Sequence, residues 1–206
     1  MITVTLDTNC FDKKCNKELT ELRKLHAEKK IEVLVYLNAY LEKKQYKASE
    51  KESRIKHCRD MASMAGFKLE IYAKEIPDNK TIDEVLAYDK EKYNEIFKKV
   101  RKIHSPEYRG DKFKTFKDLS LEKKINKLND WQMLARHIYQ NRNFFVTNDE
   151  RGFIRENRKD TQDKRKKRFE SEFSDLKIRR LNAEFIEELK DIYLKNITIE
   201  EKKIKN

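Results

Sequence analysis

The chain has 206 residues, of which 42% are charged, with 49 Lys and Arg against 37 Asp and Glu and a formal net charge of +12. That length suits one domain with an elaboration, and 3 Gly and 2 Pro are too few for a sandwich or barrel made of tight hairpins. The apolar 37% falls in periodic groups, which excludes a wholly disordered chain.

Met1 to Leu6 alternates β-branched residues and meets Asp7-Thr8-Asn9, so a strand ends there. Leu19, Leu22 and Leu25 recur at three-residue steps and predict a helix over about 16–29. Ile31 to Tyr36 is nearly all apolar, as in a strand covered on both faces. Together these form a βαβ unit with a right-handed crossover and parallel strands. A helix from about Asn38 carries Glu42, and another spans Ser49 to Ala65 with Gly66 as its stop. Phe67, Leu69, Ile71 and Ala73 alternate as a half-exposed strand. A capping box at Thr81 to Glu84 opens a helix to about His104, and 105–119 is expected to be a loop.

Downstream, a helix begins near Leu121 and is expected to restart at Asn129-Asp130, with Met133, Leu134, Ile138 and Tyr139 buried and Trp131 as a core anchor. Asn143 to Thr147 and Leu176 to Arg180 are strands flanking a very basic helix, and Ala183 to Lys195 is the last helix, with a frayed tail after Asn196. The expectation is an α/β fold, three-layer α/β/α, around a mainly parallel sheet. It forms one domain over 1–206 with a helical elaboration at about 43–124 and a basic insertion at about 150–175.

Cysteines 10, 15 and 58 match no zinc spacing and read as reduced thiols. No apolar run approaches the ~18 residues of a membrane span, and Met1 to Leu6 is too short for a signal peptide, so a cytoplasmic protein without membrane partners is expected. The excess of positive charge favours nucleic acid as a partner, although solvated lysine-rich helices have the same composition.

Four acids occupy repeating places: Asp7 past the first strand, Glu42 in the helix after the second, Asp130 at a helix start and Asp149 past a later strand. In a parallel sheet these places converge at the carboxyl edge. Carboxylates gathered there repel one another unless protonated or neutralised, and an oxygen-only donor set suits Mg²⁺ or Mn²⁺. Taken singly, Asp7, Asp130 and Asp149 are equally helix caps or turn residues, and Glu42 a solvated helix residue. Asn9 and Thr147 are placed to orient the carboxylates by hydrogen bonds.

These segments resemble the PIN-domain nucleases. Ile2 to Asn9 (ITVTLDTN) looks like their opening strand, and Val33 to Glu42 (VLVYLNAYLE) like their second strand and acid-bearing helix. Asp130 to Tyr139 (DWQMLARHIY) and Phe144 to Asp149 (FFVTND) are similar to the third motif and the strand ending in Thr-x-Asp, and Leu176 to Leu189 to the closing strand and helix. Where the family often has a further Asp before a Phe, Gly152 precedes Phe153, which leaves Asp149 to serve alone.

The resemblance implies a metal-dependent endoribonuclease hydrolysing RNA, with one or two Mg²⁺ or Mn²⁺ ions on Asp7, Glu42, Asp130 and Asp149 activating water and neutralising the scissile phosphate. It leaves open a toxin of a toxin-antitoxin pair, with an antitoxin or other protein partner, a processing or defence nuclease, and a homodimer. A non-catalytic nucleic-acid-binding or scaffold protein and a DNA flap nuclease are the alternatives.

Arg155 to Arg168 has eight Lys and Arg (Arg155, Arg158, Lys159, Lys164, Arg165, Lys166, Lys167, Arg168) against three acids, a net +5. It is the candidate surface for single-stranded or structured RNA. Arg179-Arg180, Lys112 to Lys117 and the aromatics Tyr108, Phe113 and Phe116 are weaker candidates. His26, His57, His104 and His137 stand on separate elements with no spacing that pairs them, and His137 is expected to pack.

Overall fold

The computed structural model describes residues 1–11, 13–37, 60–71, 90–105, 119–149, 153 and 165–204. Its strands are β1 (Ile2–Leu6), β2 (Ile31–Leu37), β3 (Lys68–Ile71), β4 (Phe144–Val146) and β5 (Lys177–Arg179). Its main helices are α1 (Asn16–Ala27), α2 (Lys90–His104), α3 (Leu121–Tyr139), α4 (Arg165–Glu172) and α5 (Ala183–Ile204). The strands form one sheet in the order β3-β2-β1-β4-β5, and every described pairing is parallel.

Alternation along each strand sorts its side chains between two helical layers. Val4, Leu6, Val33, Val35, Phe144 and Val146 face α1 and α5, where Leu19, Leu22, Leu25, Phe185 and Leu189 meet them. Phe145 and Ile178 face the other way, toward Val100 of α2, Trp131 and Leu134 of α3 and Phe169 of α4. Helices thus cover both faces, which is the expected three-layer α/β arrangement, and β2 is buried on both sides as its apolar run requires. Gly66 takes φ +70 after a helical turn at 60–64, the left-handed stop its sequence position suggested.

A buried polar bridge ties this second layer to the sheet. Thr5 Oγ1 lies 2.9 Å from His137 Nδ1 and accepts from Arg142 Nη1 at 3.2 Å. His137 is therefore a packing residue, as expected. Burial, with the Arg142 guanidinium beside it, pushes its pKa down to about 3, so the ring is neutral at physiological pH. At the opposite strand ends, Asn143 Oδ1 accepts from the Thr3 amide at 2.8 Å while the Asn143 amide donates to Thr3 Oγ1 at 3.1 Å, fixing β1 against β4.

Three expectations are corrected. Helix α3 does not restart at Asn129: Ser120 caps it, accepting from the Lys123 amide at 3.4 Å, and it runs unbroken to Tyr139. Asn and Asp are weak helix formers, but neither breaks a helix held by tertiary packing. The tail after Asn196 is not frayed, since α5 continues to Ile204; no Gly or Pro interrupts 183–204, and Thr198 Oγ1 donates to the Leu194 carbonyl at 3.1 Å. Arg179 is no phosphate ligand in waiting. It is bound to both oxygens of Glu188 at 2.7 and 3.0 Å and to Glu170 at 3.3 Å, because it closes β5 onto α4 and α5.

The predicted helices over 38–59 and 81–89, the 105–119 loop beyond Ser105 and the aromatics Tyr108, Phe113 and Phe116 lie outside the described residues, apart from 119 itself. No described helix is long and apolar enough to cross a membrane.

Thr5→Val keeps the shape of β1 but removes the hydroxyl that joins His137 to Arg142. The expected loss is about 1–3 kcal/mol, the cost of a buried polar group left unsatisfied. Urea unfolding at pH 7 checks it, as a lower midpoint at unchanged m-value.

Candidate metal centre

Because β1 and β4 are parallel neighbours, with Leu6 paired to Val146, the residues that follow them emerge side by side. The Asp7 amide donates to the Val146 carbonyl at 2.9 Å, extending the ladder by one bond beyond the strands. Asp7 then turns into the short 3-10 segment Thr8–Phe11, with Cys10 N bonded to the Asp7 carbonyl at 3.0 Å.

The Asp7 carboxylate is only 7% exposed. Its Oδ2 accepts from Asn9 Nδ2 at 2.6 Å and from Thr147 Oγ1 at 2.7 Å, Oδ1 has a 3.5 Å contact from the Thr8 hydroxyl, and the backbone amides of Thr8 and Asn9 also bond to the carboxylate. Asn9 and Thr147 therefore do orient Asp7, through the same oxygen. Thr147 Oγ1 also accepts from the Asp149 amide at 3.0 Å, so one hydroxyl links both acids. Asn148 continues the seam, its amide donating to Asn9 Oδ1 at 2.9 Å and its Oδ1 accepting from the Leu181 amide at 3.1 Å. The loops after β1, β4 and β5 are thereby held as one edge.

Asp130 approaches the same edge from α3. It is the tenth residue of that helix, so the capping explanation fails for it. Burial raises it well above the usual carboxylate range, and the charges of Asp7 and Asp149 push it further. Its side chain retains 29% exposure. Asp7 is raised to about 6, by burial first and by Asp149 as well, against the opposing hydrogen bond from Thr147. Asp7, Asp130 and Asp149 thus act on one another electrostatically. Cys10 and Cys15 are buried thiols close to Asp7, and burial pushes the Cys10 thiol up, away from a reactive thiolate.

Among the described residues, no three His, Cys, Asp or Glu side chains close into a metal-ligand cluster. Glu42, the fourth candidate, lies outside the described residues, as do Gly152 and the basic residues Arg155, Arg158, Lys159 and Lys164. In donor chemistry the acids present fit a hard cation: they are oxygen-only, and burial leaves two of them disposed to protonation unless positive charge is supplied.

One residue at this edge was not foreseen. His104, at the end of α2, is 2% exposed and reaches within 3.6 Å of Asp130 Oδ2 through Nε2. Burial, with Arg165 and Lys127 nearby, holds it well below the usual histidine value, so this is a contact of a neutral imidazole and not an ion pair. No spacing in the chain links residue 104 to residue 130; only the packing of α2 on α3, with Phe97 edge-on to Trp131 at 6.2 Å, brings them together.

The foot of the basic segment is α4. Arg165 is buried there, whereas Lys167 and Arg168 are exposed and Lys166 partly so. Phe153 and Phe169 anchor the region in the core, and the Phe153 amide donates to the Asp149 carbonyl at 3.1 Å, turning the chain back under the acid. Comparison of the chain with protein-family models, curated proteins and solved structures returned no match.

In metal-free protein at pH 7, Asp7→Asn is expected to stabilise the fold by about 1–3 kcal/mol, since a shift from 3.8 to about 6 disfavours the ionised form by 1.36 kcal/mol per unit. The folded value lies above the unfolded one, so the penalty is complete above about 6 and absent below about 4. Denaturation in EDTA at pH 7 and at pH 4 checks this: the mutant's advantage should vanish at the lower pH.

Proposed function

We propose that the protein is a Mg²⁺- or Mn²⁺-dependent endoribonuclease of PIN-domain type, acting in the cytoplasm on single-stranded or structured RNA. The observation that carries this reading is the gathering of buried Asp7 and half-buried Asp130 at one strand edge, each raised by desolvation and by a neighbouring acid. Burying like charges costs stability, so their placement there is best accounted for by a cation that relieves them.

Asp7, Asp130 and Asp149 would hold the ion, with Glu42 as the fourth carboxylate. A bound divalent cation supplies activation of water and neutralisation of the scissile phosphate. Asn9 and Thr147 would orient the Asp7 carboxylate toward the ion through their hydrogen bonds to its Oδ2. Lys166, Lys167 and Arg168 offer charge to the phosphates of an RNA strand, with Arg155, Arg158, Lys159 and Lys164 extending the same segment along the chain. Arg165 supports the segment from within. A toxin with an antitoxin partner, or a processing or defence nuclease, and a homodimer are all compatible with this chemistry.

Cleavage of labelled single-stranded RNA should require Mg²⁺ or Mn²⁺, stop with EDTA, and fall by about two orders of magnitude or more in Asp7→Asn and Asp130→Asn with the fold intact. RNA binding that survives EDTA without any cleavage would identify a non-catalytic binder, and a preference for branched DNA a flap nuclease. Lys167→Ala and Arg168→Ala should each reduce the salt dependence of RNA binding by about one phosphate contact.

Protons compete with metal for Asp7, which titrates at about 6. Mn²⁺ should therefore raise the melting temperature more at pH 7.5 than at pH 5.5. Equal shifts at both pH values would remove Asp7 from the metal centre.

A further inference from the structure

The stretch between β2 and α3 brings a single described histidine to the acidic edge. Its tautomer follows from its neighbours. His104 Nδ1 lies 3.1 Å from Trp131 Nε1 and 2.9 Å from Ser105 Oγ. An indole N–H can only donate, so Nδ1 is the acceptor and the ring proton sits on Nε2. Ser105 Oγ, on the same side of the ring, accepts from the Lys127 ammonium at 3.3 Å.

The Nε2–H donor is buried and makes no hydrogen bond among the described residues, and Asp130 Oδ2 lies 3.6 Å from it. That gap exceeds a hydrogen bond by roughly half an ångström. The ring cannot turn away to find another acceptor, because Phe153 and Trp131 stand edge-on to it at 5.1 and 6.4 Å between centroids. The Trp131 indole accounts for the Nδ1 side of the ring, whereas the buried Nε2–H that faces the carboxyl is left without an acceptor among the described residues.

We propose that His104 is a positioning residue for Asp130. When Asp130 is ionised by a divalent cation at this edge, the Nε2–H closes onto Oδ2, fixing the carboxylate and leaving its other oxygen to the ion. The proposal rests on the reading of this edge as a metal centre. It assigns a role to the helix that enters from the elaboration: α2 delivers the donor that holds the acid of α3, as outer partners hold ligating carboxylates in metal sites.

The test measures Mn²⁺ binding by the full chain, by electron paramagnetic resonance or calorimetry, in wild type, His104→Leu and His104→Gln. His104→Leu should bind Mn²⁺ about 10–100-fold more weakly, while His104→Gln, whose amide can present a donor near the Nε2 position, stays close to wild type. RNA KM should be unchanged in both. Long-range ¹H–¹⁵N spectra of wild type should show the Nε2–H tautomer, with that proton moving downfield when Mg²⁺ is added. This measurement decides the matter even if His104→Leu does not fold. An Nδ1–H tautomer, an Nε2–H resonance unmoved by Mg²⁺ in protein that binds it, or unchanged Mn²⁺ affinity in folded His104→Leu overturns the assignment. Wild-type protein that takes up no Mn²⁺ overturns the metal-centre reading itself, and this proposal with it.

Discussion

The parallel pairing of β1 with β4 is the constraint on which the rest depends. Five parallel strands need crossovers, the crossovers supply helices to both faces, and the strand ends then share one edge. At that edge the ladder does not stop with the strands. It continues through Asp7 N to Val146 O and Thr147 N to Arg179 O, and then through side chains, with Thr147 and Asn9 bonded to Asp7 and Asn148 bonded across to Asn9 and Leu181. Backbone order is thereby converted into the placement of carboxylates. Removing β4 from beside β1 would leave Asp7 an ordinary turn residue.

Two buried polar groups on the same face of the sheet show how differently polarity can be used. The Thr5, His137 and Arg142 bridge is joined through Thr5 Oγ1, with contacts of 2.9 and 3.2 Å, and docks α3 on the sheet, although His137 Nε2 finds no partner among the described residues. The Asp130 and His104 pair stays open at 3.6 Å, with both groups pushed by burial toward their neutral forms. A closed polar network rigidifies a core, whereas an open one costs stability until something completes it. The Asp130 and His104 pair is thus a polar gap within an otherwise well-packed layer of Trp131, Phe145, Phe153 and Phe169.

The layers explain why the charge of the chain does not collect evenly. Arg165 and Arg179 carry formal charge but belong to the interior and to the closure of β5, the latter through Glu170 and Glu188. On α4, Lys167 and Arg168 are exposed and Lys166 partly so. Counting basic residues along the segment overstates the surface they make, because helix periodicity turns some of them inward.

Local pattern alone was enough for β1 and α1, with apolar periods of two and three to four residues, and for β2, a short apolar run rich in β-branched residues. It was also enough for the α/β class and for Asp7, Asn9, Thr147 and Asp149, all of which sit within three residues of a strand end and so inherit their position from the sheet. Asp130 was recognised but misplaced, since weak helix formers at 129–130 suggest a start that the packing of α3 overrides. His104 could not be recognised at all. Its neighbours Trp131 and Asp130 are more than twenty residues away in the chain, and the tautomer that aims its proton at Asp130 is set by an indole donor on another helix. Sequence determines which residues stand at strand ends, because strand periodicity is local. Which side chain from elsewhere meets them is decided only by how the helices pack.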